Sequence, residues 1–158
     1  MARIDKDSFR AAMGMLPTGV TVITALGPGG RSGATASAVG SLSLDPMLML
    51  ACLDRGSRTL RSVQEAGRFG IDVLGAGQEQ IARQFSTKLD EPQKWEGIES
   101  SEREGIPVLA GSVLWVACEL QDVLMGGDHV ILTGAVIDLE ARGGEPLVHH
   151  GGEYRALG

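Results

Sequence analysis

The feature that most constrains the fold is a series of short runs rich in β-branched and aliphatic residues, most of them joined by glycine-containing turns. These runs cover residues 20–25, 47–53, 69–74, 112–125, 129–139 and 146–148. Runs of this length and composition predict β-strands, and the 47–53 run predicts a strand buried on both sides. Helical patterns do not alternate with them regularly. The chain therefore favours a mainly β fold, an antiparallel barrel with flanking helices, over a doubly wound sheet.

Three segments have helical patterns. Residues 5–16 place Phe9 and Met13 on one face and predict a packing helix. Ser57 can cap a helix that stops at Gly67. A third helix is predicted over residues 77–86.

Two segments near the third helix are less regular. The helix ends in Phe85-Ser86-Thr87-Lys88, which could face a ligand, although core packing of Phe85 is an equal alternative. Residues 88–105 are polar and are broken by Pro92 and Gly97, so they predict a surface excursion held down by Trp95.

The stretch 33–46 holds many small residues and then an alternation of hydroxyl and apolar side chains. Its backbone could approach a ligand closely, with hydroxyl and amide groups available to it. That suits a flat, phosphate-bearing cofactor. Composition alone favours a simpler alternative, a Gly/Ser-rich loop between two strands.

Length and charge limit the function classes. The 158 residues predict one domain, residues 1–158, and the net charge of −6 argues against nucleic acid or an anionic membrane as the main partner. Residues 1–7 have no apolar signal-peptide core, and no apolar run approaches transmembrane length, so we expect a cytoplasmic protein without a membrane contact. Cys52 and Cys118 lie in apolar runs without metal-ligand spacing, so reduced, buried thiols and no metal site are expected.

Ser57, Arg58 and Thr59 form a candidate phosphate site. The start of a helix offers free N–H groups, and here two hydroxyls and a guanidinium lie beside them. For an isolated Ser-x-Thr cap, a plain cap with a solvated arginine is the commoner case.

With these segments placed, the chain resembles the flavin reductase-like family, whose fold is the FMN-binding split barrel, an antiparallel, Greek-key barrel. The resemblance runs along nearly the whole chain and rests on several motifs in the same order. The motifs are Phe9-Arg10-x-Ala12-Met13-Gly14, Pro17-Thr18-Gly19-Val20, Gly33-x-Thr35-Ala36-Ser37-Ala38, Ser41-Leu42-Ser43-Leu44-Asp45-Pro46, Cys52-Leu53-Asp54-Arg55, Ser57-Arg58-Thr59, Phe69-Gly70-Ile71-Asp72-Val73-Leu74, Gly127-Asp128-His129-x-Ile131, Pro146-Leu147-Val148 and Tyr154-Arg155.

The resemblance implies a homodimer that binds FMN or FAD near its subunit interface and reduces it with NADH or NADPH. It implies that Thr35, Ala36 and Ser37 lie along the flavin ring, and that Cys52 and Phe85 line the same pocket. The implied ribityl and phosphate contacts are Ser41, Leu42, Ser43, Ser57, Arg58 and Thr59. His129 matches the family's Gly-Asp-His histidine, so it is the implied catalytic residue and flavin neighbour near the nicotinamide, with Tyr154 and Arg155 approaching the same region.

The predicted function is therefore an NAD(P)H-dependent flavin reductase that supplies reduced flavin to a partner flavin-dependent monooxygenase. Such hydride transfer needs alignment more than a dedicated acid or base, so His129 need not donate a proton. The alternative is a flavin-binding protein of the same barrel that stores or senses flavin without turnover. His149 and His150 are predicted to be a solvent-exposed pair with no metal.

Overall fold

β-Strands dominate the structure, a computed structural model that describes residues 3–158. The strands are β1 (Thr18–Gly19), β2 (Thr21–Gly27), β3 (Gly30–Ala36), β4 (Val39–Leu44), β5 (Met47–Asp54), β6 (Arg68–Val73), β7 (Ser100–Arg103), β8 (Ile106–Leu109), β9 (Leu114–Gly126), β10 (His129–Ala141), β11 (Val148–His150) and β12 (Glu153–Arg155). The helices are α1 (Lys6–Met13), α2 (Arg58–Ala66), α3 (Glu79–Phe85) and α4 (Glu91–Lys94). Within residues 3–158, no helix has the length and apolar character needed to cross a bilayer. The N-terminal prediction also involved Met1 and Ala2, which lie outside the described residues.

A seven-stranded antiparallel sheet forms the body of the molecule, in the order β3-β2-β6-β9-β10-β5-β4. The strands β3 and β4 lie at opposite edges of this sheet, although only Ser37 and Ala38 separate them in sequence. Because the Cα atoms on either side of two residues are at most about 11 Å apart, the sheet must curl until its edges meet. At this seam the Cys52 N–H donates to the Ala38 carbonyl at 2.9 Å. The predicted antiparallel barrel is confirmed.

The barrel interior is packed with aliphatic side chains and one phenylalanine. Phe69 of β6 and Cys118 of β9 lie in this core, and both pack closely against the backbone of Gly134 on β10. A Cβ atom at position 134 would lie 2.6 Å from Cys118 Cβ and 2.6 Å from Phe69 Cζ. Glycine therefore lets β10 pass close to its neighbours, next to a register shift in its pairing with β9.

Outside the barrel, a second apolar cluster joins the sheet to α3 and α4. Phe85 and Trp95 pack edge to face there, with ring centroids 4.9 Å apart. The helix α2 is held by local caps: the Ser57 hydroxyl accepts from the Thr59 and Leu60 N–H groups, and Gly67 ends the helix at φ 70°. Both caps were predicted from the sequence and are confirmed.

Several predictions about local structure need correction. The stretch 33–46 is not a loop, because it forms the end of β3 and all of β4. The strand β5 is not buried on both sides, since Met47 is 57% exposed. The helix α1 forms, but none of its residues is buried against this chain.

The C-terminal half also departs from prediction. Residues 88–105 are not only a surface excursion, because they contain α4 and β7, and Lys94 is buried. Trp95 does hold this segment down, as predicted, at 4% exposure. His149 and His150 are half-buried rather than solvent-exposed, and the His149 ring packs edge to face on Tyr154.

One fully buried carboxyl group lies in the sheet. Asp72 on β6 accepts hydrogen bonds through Oδ1 from the Leu109 N–H and the Ser112 hydroxyl, both at 3.1 Å. The Arg142 guanidinium donates to Ser112 Oγ at 2.9 Å. The other carboxyl oxygen, Oδ2, is buried and has no hydrogen-bond partner within residues 3–158. Burial raises the pKa of Asp72 to about 7, against the opposing effect of these hydrogen bonds and of Arg142.

Candidate flavin site

A cleft lies at the seam of the barrel, where β3 passes into β4. It consists of two cavities of about 410 and 250 Å³, which share the lining residues Ala34, Thr35, Asp54 and Ser57. The larger cavity extends to the start of α2 and the end of α3, and the smaller one extends along residues 36–38 to Cys52 and His129. Together the two cavities reach the size of a cleft that holds a small ligand or cofactor.

The wall of the cleft is the outer edge of β3, braced from behind by α3. Thr35 lines both cavities. Its hydroxyl donates to the Ala82 carbonyl at 2.7 Å, so this proton is not available to a ligand. A Cβ atom on Gly33 would lie 2.7 Å from Phe85 Cε1. The absence of a side chain at Gly33 therefore lets the Phe85 ring lie against β3 at the cleft, where it lines the larger cavity.

Three cations surround the larger cavity. Arg58, Lys88 and Lys94 line it, together with hydroxyls from Ser57, Ser86 and Thr87. The pKa of Lys94 is lowered, chiefly by burial and also by the nearby charges of Arg58 and Lys88. The Ser57 oxygen accepts two helix N–H groups, but its O–H proton remains available to donate. This end of the cleft is suited to an anion such as a phosphate.

The smaller cavity is less charged. Burial raises the pKa of the Cys52 thiol, so this lining residue is neutral at physiological pH. His129 begins β10 directly opposite Asp54 of β5, with its side chain 50% exposed. Its Nδ1 lies 2.8 Å from Asp128 Oδ1, and this contact lowers the pKa of Asp128. Asp128 thereby orients the imidazole, leaving Nε2 free to contact a ligand.

The structure brings together eight of the predicted site residues and leaves six apart from the two cavities. Those lining the cleft are Thr35, Ala36, Ser37, Cys52, Ser57, Arg58, Phe85 and His129. Ser41, Leu42 and Ser43 lie on the edge strand β4, and Thr59 is buried beneath the start of α2 at 1% exposure. Tyr154 and Arg155 lie on β12, although Tyr154 packs on His149, which lines a third cavity that shares Ser37 and Ala38 with the cleft. The roles given to all fourteen residues stay predictions.

Sequence reasoning missed Lys94 and its neighbour Glu91. A signal was present: Asp90 accepts from the Gln93 N–H as a helix cap, and Pro92 occupies the first turn. An Asp-x-Pro start of this kind predicts a helix within the supposed loop. Nothing local indicated that Lys94 would be turned inward to donate to the Gly33 carbonyl, at 3.1 Å.

The residues of the cleft fit a flat cofactor with a phosphate group. The smaller cavity offers small side chains, a neutral thiol and backbone amides, and the larger one offers hydroxyls and three cations. Among residues 3–158 there is no group of three or more His, Cys, Asp or Glu side chains that could bind a metal ion. A curled antiparallel sheet with a cofactor-sized cleft at its seam is the arrangement that the resemblance to the flavin reductase-like family implies.

Comparison with known proteins agrees with this class. A flavin reductase (NADH) from Kitasatospora aureofaciens is 40% identical over 136 residues, which is 85% of this chain and 71% of the relative. The reductase subunit HsaB of a flavin-dependent monooxygenase from Mycobacterium tuberculosis is 34% identical over 99% of this chain and 84% of its own length. Among solved structures, the NADH:FAD oxidoreductase SgcE6 of Streptomyces globisporus, in complex with NAD and FAD fragments, superimposes with a TM-score of 0.91 at 31% identity, covering 99% of this chain and 98% of that one.

The flavin reductase like domain model matches residues 13–158. The chain therefore belongs to the flavin reductase-like family, and the predicted enzyme class, an NAD(P)H-dependent flavin reductase, is confirmed.

Proposed function

We propose that this chain, acting as a single domain, binds FMN or FAD in the cleft at the barrel seam, reduces it with NADH or NADPH, and releases the reduced flavin to a flavin-dependent monooxygenase. The observation that carries the proposal is the division of one cleft into an end with three cations at Arg58 and an end lined mostly by small side chains at His129. The relatives named as monooxygenase reductase subunits support the partner. NADH is named for two relatives and FAD for one of them, so that pair is our first expectation.

At the cationic end, Arg58, Lys88 and the Ser57 hydroxyl would hold the phosphate. Backbone N–H groups at the start of α2 add a favourable partial positive charge there. The adenosine part of FAD would extend past this end, so the same residues can bind either flavin.

At the end near His129, the small residues 34–38 would lie along the flavin ring and leave its exposed face to the nicotinamide. When flavin and nicotinamide are bound, the two cofactors supply the redox chemistry themselves. The work of this chain is to hold them face to face at reacting distance and to limit water. Because Asp128 engages Nδ1 of the His129 ring, Nε2 is the nitrogen suited to contacting the nicotinamide.

The experiment that tests this proposal is anaerobic oxidation of NADH and NADPH by the purified protein, with FMN, FAD and riboflavin each added in turn. We expect turnover that depends on added flavin and is fastest with NADH. Retention of oxidised flavin through gel filtration, with no nicotinamide oxidation, would instead favour the storage or sensing protein.

His129→Ala is expected to lower kcat/KM for NADH about tenfold, equal to about 1.4 kcal/mol of transition-state binding. The dissociation constant for FMN should stay unchanged, because the phosphate end of the cleft is intact. Steady-state kinetics and flavin titration check the two values. His150→Ala is the matched control, since that imidazole lies on β11 outside the cleft. A loss of FMN affinity instead would place His129 against the flavin ring.

We also propose that the protein is a homodimer and that it works in the cytoplasm. The dimer is supported by apolar side chains that this chain leaves uncovered on α1 and on the β4–β5 hairpin, among them Phe9 at 58%, Leu44 at 87% and Met47 at 57% exposure. Ser41, Leu42 and Ser43 lie on this hairpin and line neither cavity of their own chain. In such a dimer these three residues would be placed to reach the cleft of the partner subunit.

Light scattering is expected to give twice the chain mass of 16.6 kDa. Leu44→Glu is expected to give the monomer, because it would place a charge in the buried interface. Glu145→Gln, a substitution at an exposed position far from these apolar residues in sequence, should leave the dimer intact. A wild-type protein that elutes as a monomer at micromolar concentration would overturn the dimer.

A further inference from the structure

Glu91 lies behind the cationic end of the cleft and faces two of its three cations. Its Oε1 is 3.8 Å from Arg58 Nε and 3.7 Å from Lys94 Nζ. The carboxylate side chain is only 18% exposed, so these attractions are less screened by water than those of a surface pair.

The two oxygens of Glu91 have different partners. Oε2 accepts the Gly33 N–H at 3.2 Å and so satisfies the free edge of β3. Oε1 is buried and accepts no hydrogen bond from any residue between 3 and 158. Its interaction with Arg58 and Lys94 is therefore one of charge, with no hydrogen bond to fix their positions.

Arg58 is also engaged by the chain itself, because its guanidinium donates to the Leu89 carbonyl. A ligand phosphate entering the larger cavity must compete with Glu91 and this carbonyl for the same guanidinium. It also meets the charge of Glu91 close behind the cations. Both effects weaken the binding of an anion and leave the binding of a neutral ligand unchanged.

We infer that Glu91 is an affinity-determining residue: an internal counter-charge that weakens the hold of the cleft on phosphate-bearing flavins and keeps them exchangeable. This inference rests on the proposed function. It concerns the phosphate group only, and so separates FMN and FAD from riboflavin. A reductase that passes its product to another protein needs such weak binding, because tight binding would slow release.

The test is a set of fluorescence titrations with FMN and riboflavin, in the dark and without a nicotinamide. Glu91→Gln keeps an oxygen that can accept the Gly33 N–H and removes only the charge. We expect its dissociation constant for FMN to fall about three- to tenfold, the range for the loss of two partly screened charge interactions. The value for riboflavin should not change, and the dissociation rate of FMN should fall in proportion.

Three other variants serve as comparisons for this result. Arg58→Ala should weaken FMN more than riboflavin, the opposite effect. Glu65→Gln makes the same change of net charge on α2, where the carboxylate pairs with Arg61, and should leave both flavins unaffected. If Glu91→Gln lowers the melting temperature markedly, Glu91→Asp draws the charge back from Arg58 and Lys94 and should give an intermediate FMN affinity.

Weaker FMN binding by Glu91→Gln, or an equal change for FMN and riboflavin, would overturn the inference, because Glu91 would then be positioning the cations or β3. If the wild-type protein binds FMN and riboflavin equally, the flavin phosphate does not bind at this end of the cleft. That result would contradict the proposed function instead. The two failures are distinguished by the wild-type titration alone.

Discussion

Phe85→Ala is expected to lower the free energy of unfolding by about 3–5 kcal/mol, the usual result of deleting a buried aromatic ring. Phe85 ends α3, is 1% exposed, and packs edge to face on Trp95. Its ring fills the space between α3 and β3. Its removal leaves a cavity between the barrel wall and the outer helices, and β3 cannot collapse into it without breaking the seam. Urea denaturation followed by circular dichroism measures the loss.

The control for this prediction is Leu157→Ala, because that side chain is 70% exposed and should change stability by less than about 0.5 kcal/mol. A loss below about 1 kcal/mol for Phe85→Ala would show that Trp95 refills the space. The same contact can be tested from the other side with Gly33→Ala, whose new methyl group would meet the Phe85 ring. Combined with Phe85→Leu, its cost should be smaller than the sum of the two single changes.

Asp72→Asn is expected to remove a large part of the dependence of stability on pH. The folded-state pKa is raised from 3.8 to about 7, so the folded protein holds a proton that the unfolded chain has released. Stability from this group is fully present below pH 3.8 and is lost as the pH rises through about 7. The loss is about 4 kcal/mol for a shift of this size, at about 1.4 kcal/mol per pKa unit.

The measurement is urea denaturation of both proteins at intervals from pH 4 to pH 8. The free energy of unfolding of the wild type should fall relative to that of Asp72→Asn across this range. Because the other carboxyl groups titrate in both proteins, their contribution drops out of the difference between the two curves. Asp45→Asn, at an exposed aspartate in the turn between β4 and β5, should instead follow the wild-type curve. Parallel curves for the wild type and Asp72→Asn would mean that Asp72 has the same pKa in both states.

The strands β2, β5, β6, β9 and β10, the helix α2 and the barrel class were predictable because their signals are local. Runs of β-branched residues mark β2, β6 and β10, and the Ser57 cap and Gly67 stop are each readable within one turn. The buried faces were harder to predict, since burial depends on which strand becomes an edge. The apolar composition of β5 predicted burial on both sides, yet the strand lies next to the edge strand β4 and is partly exposed.

The cleft was predicted in part for the same reason. Arg58 and Phe85 could be placed because they belong to motifs along the chain, whereas Lys94 and Glu91 act through contacts with Gly33, about sixty residues away in sequence. Composition also gave no indication that Asp72 would be buried, because its run reads as an ordinary strand. A polar side chain whose hydrogen-bond partners are distant in sequence leaves no pattern in the residues around it.

The order of strands in the sheet also has a consequence for biosynthesis. Within residues 3–158, the β4–β5 hairpin is paired by strand hydrogen bonds to the rest of the sheet only through β10, which is made almost last. A nascent chain that ends before residue 129 already carries every residue that lines the cleft except His129, but it has no strand on which that hairpin can dock. Flavin binding on the ribosome should therefore begin only after β10 has emerged, so that the cofactor site forms as one of the final steps of folding rather than as an early nucleus.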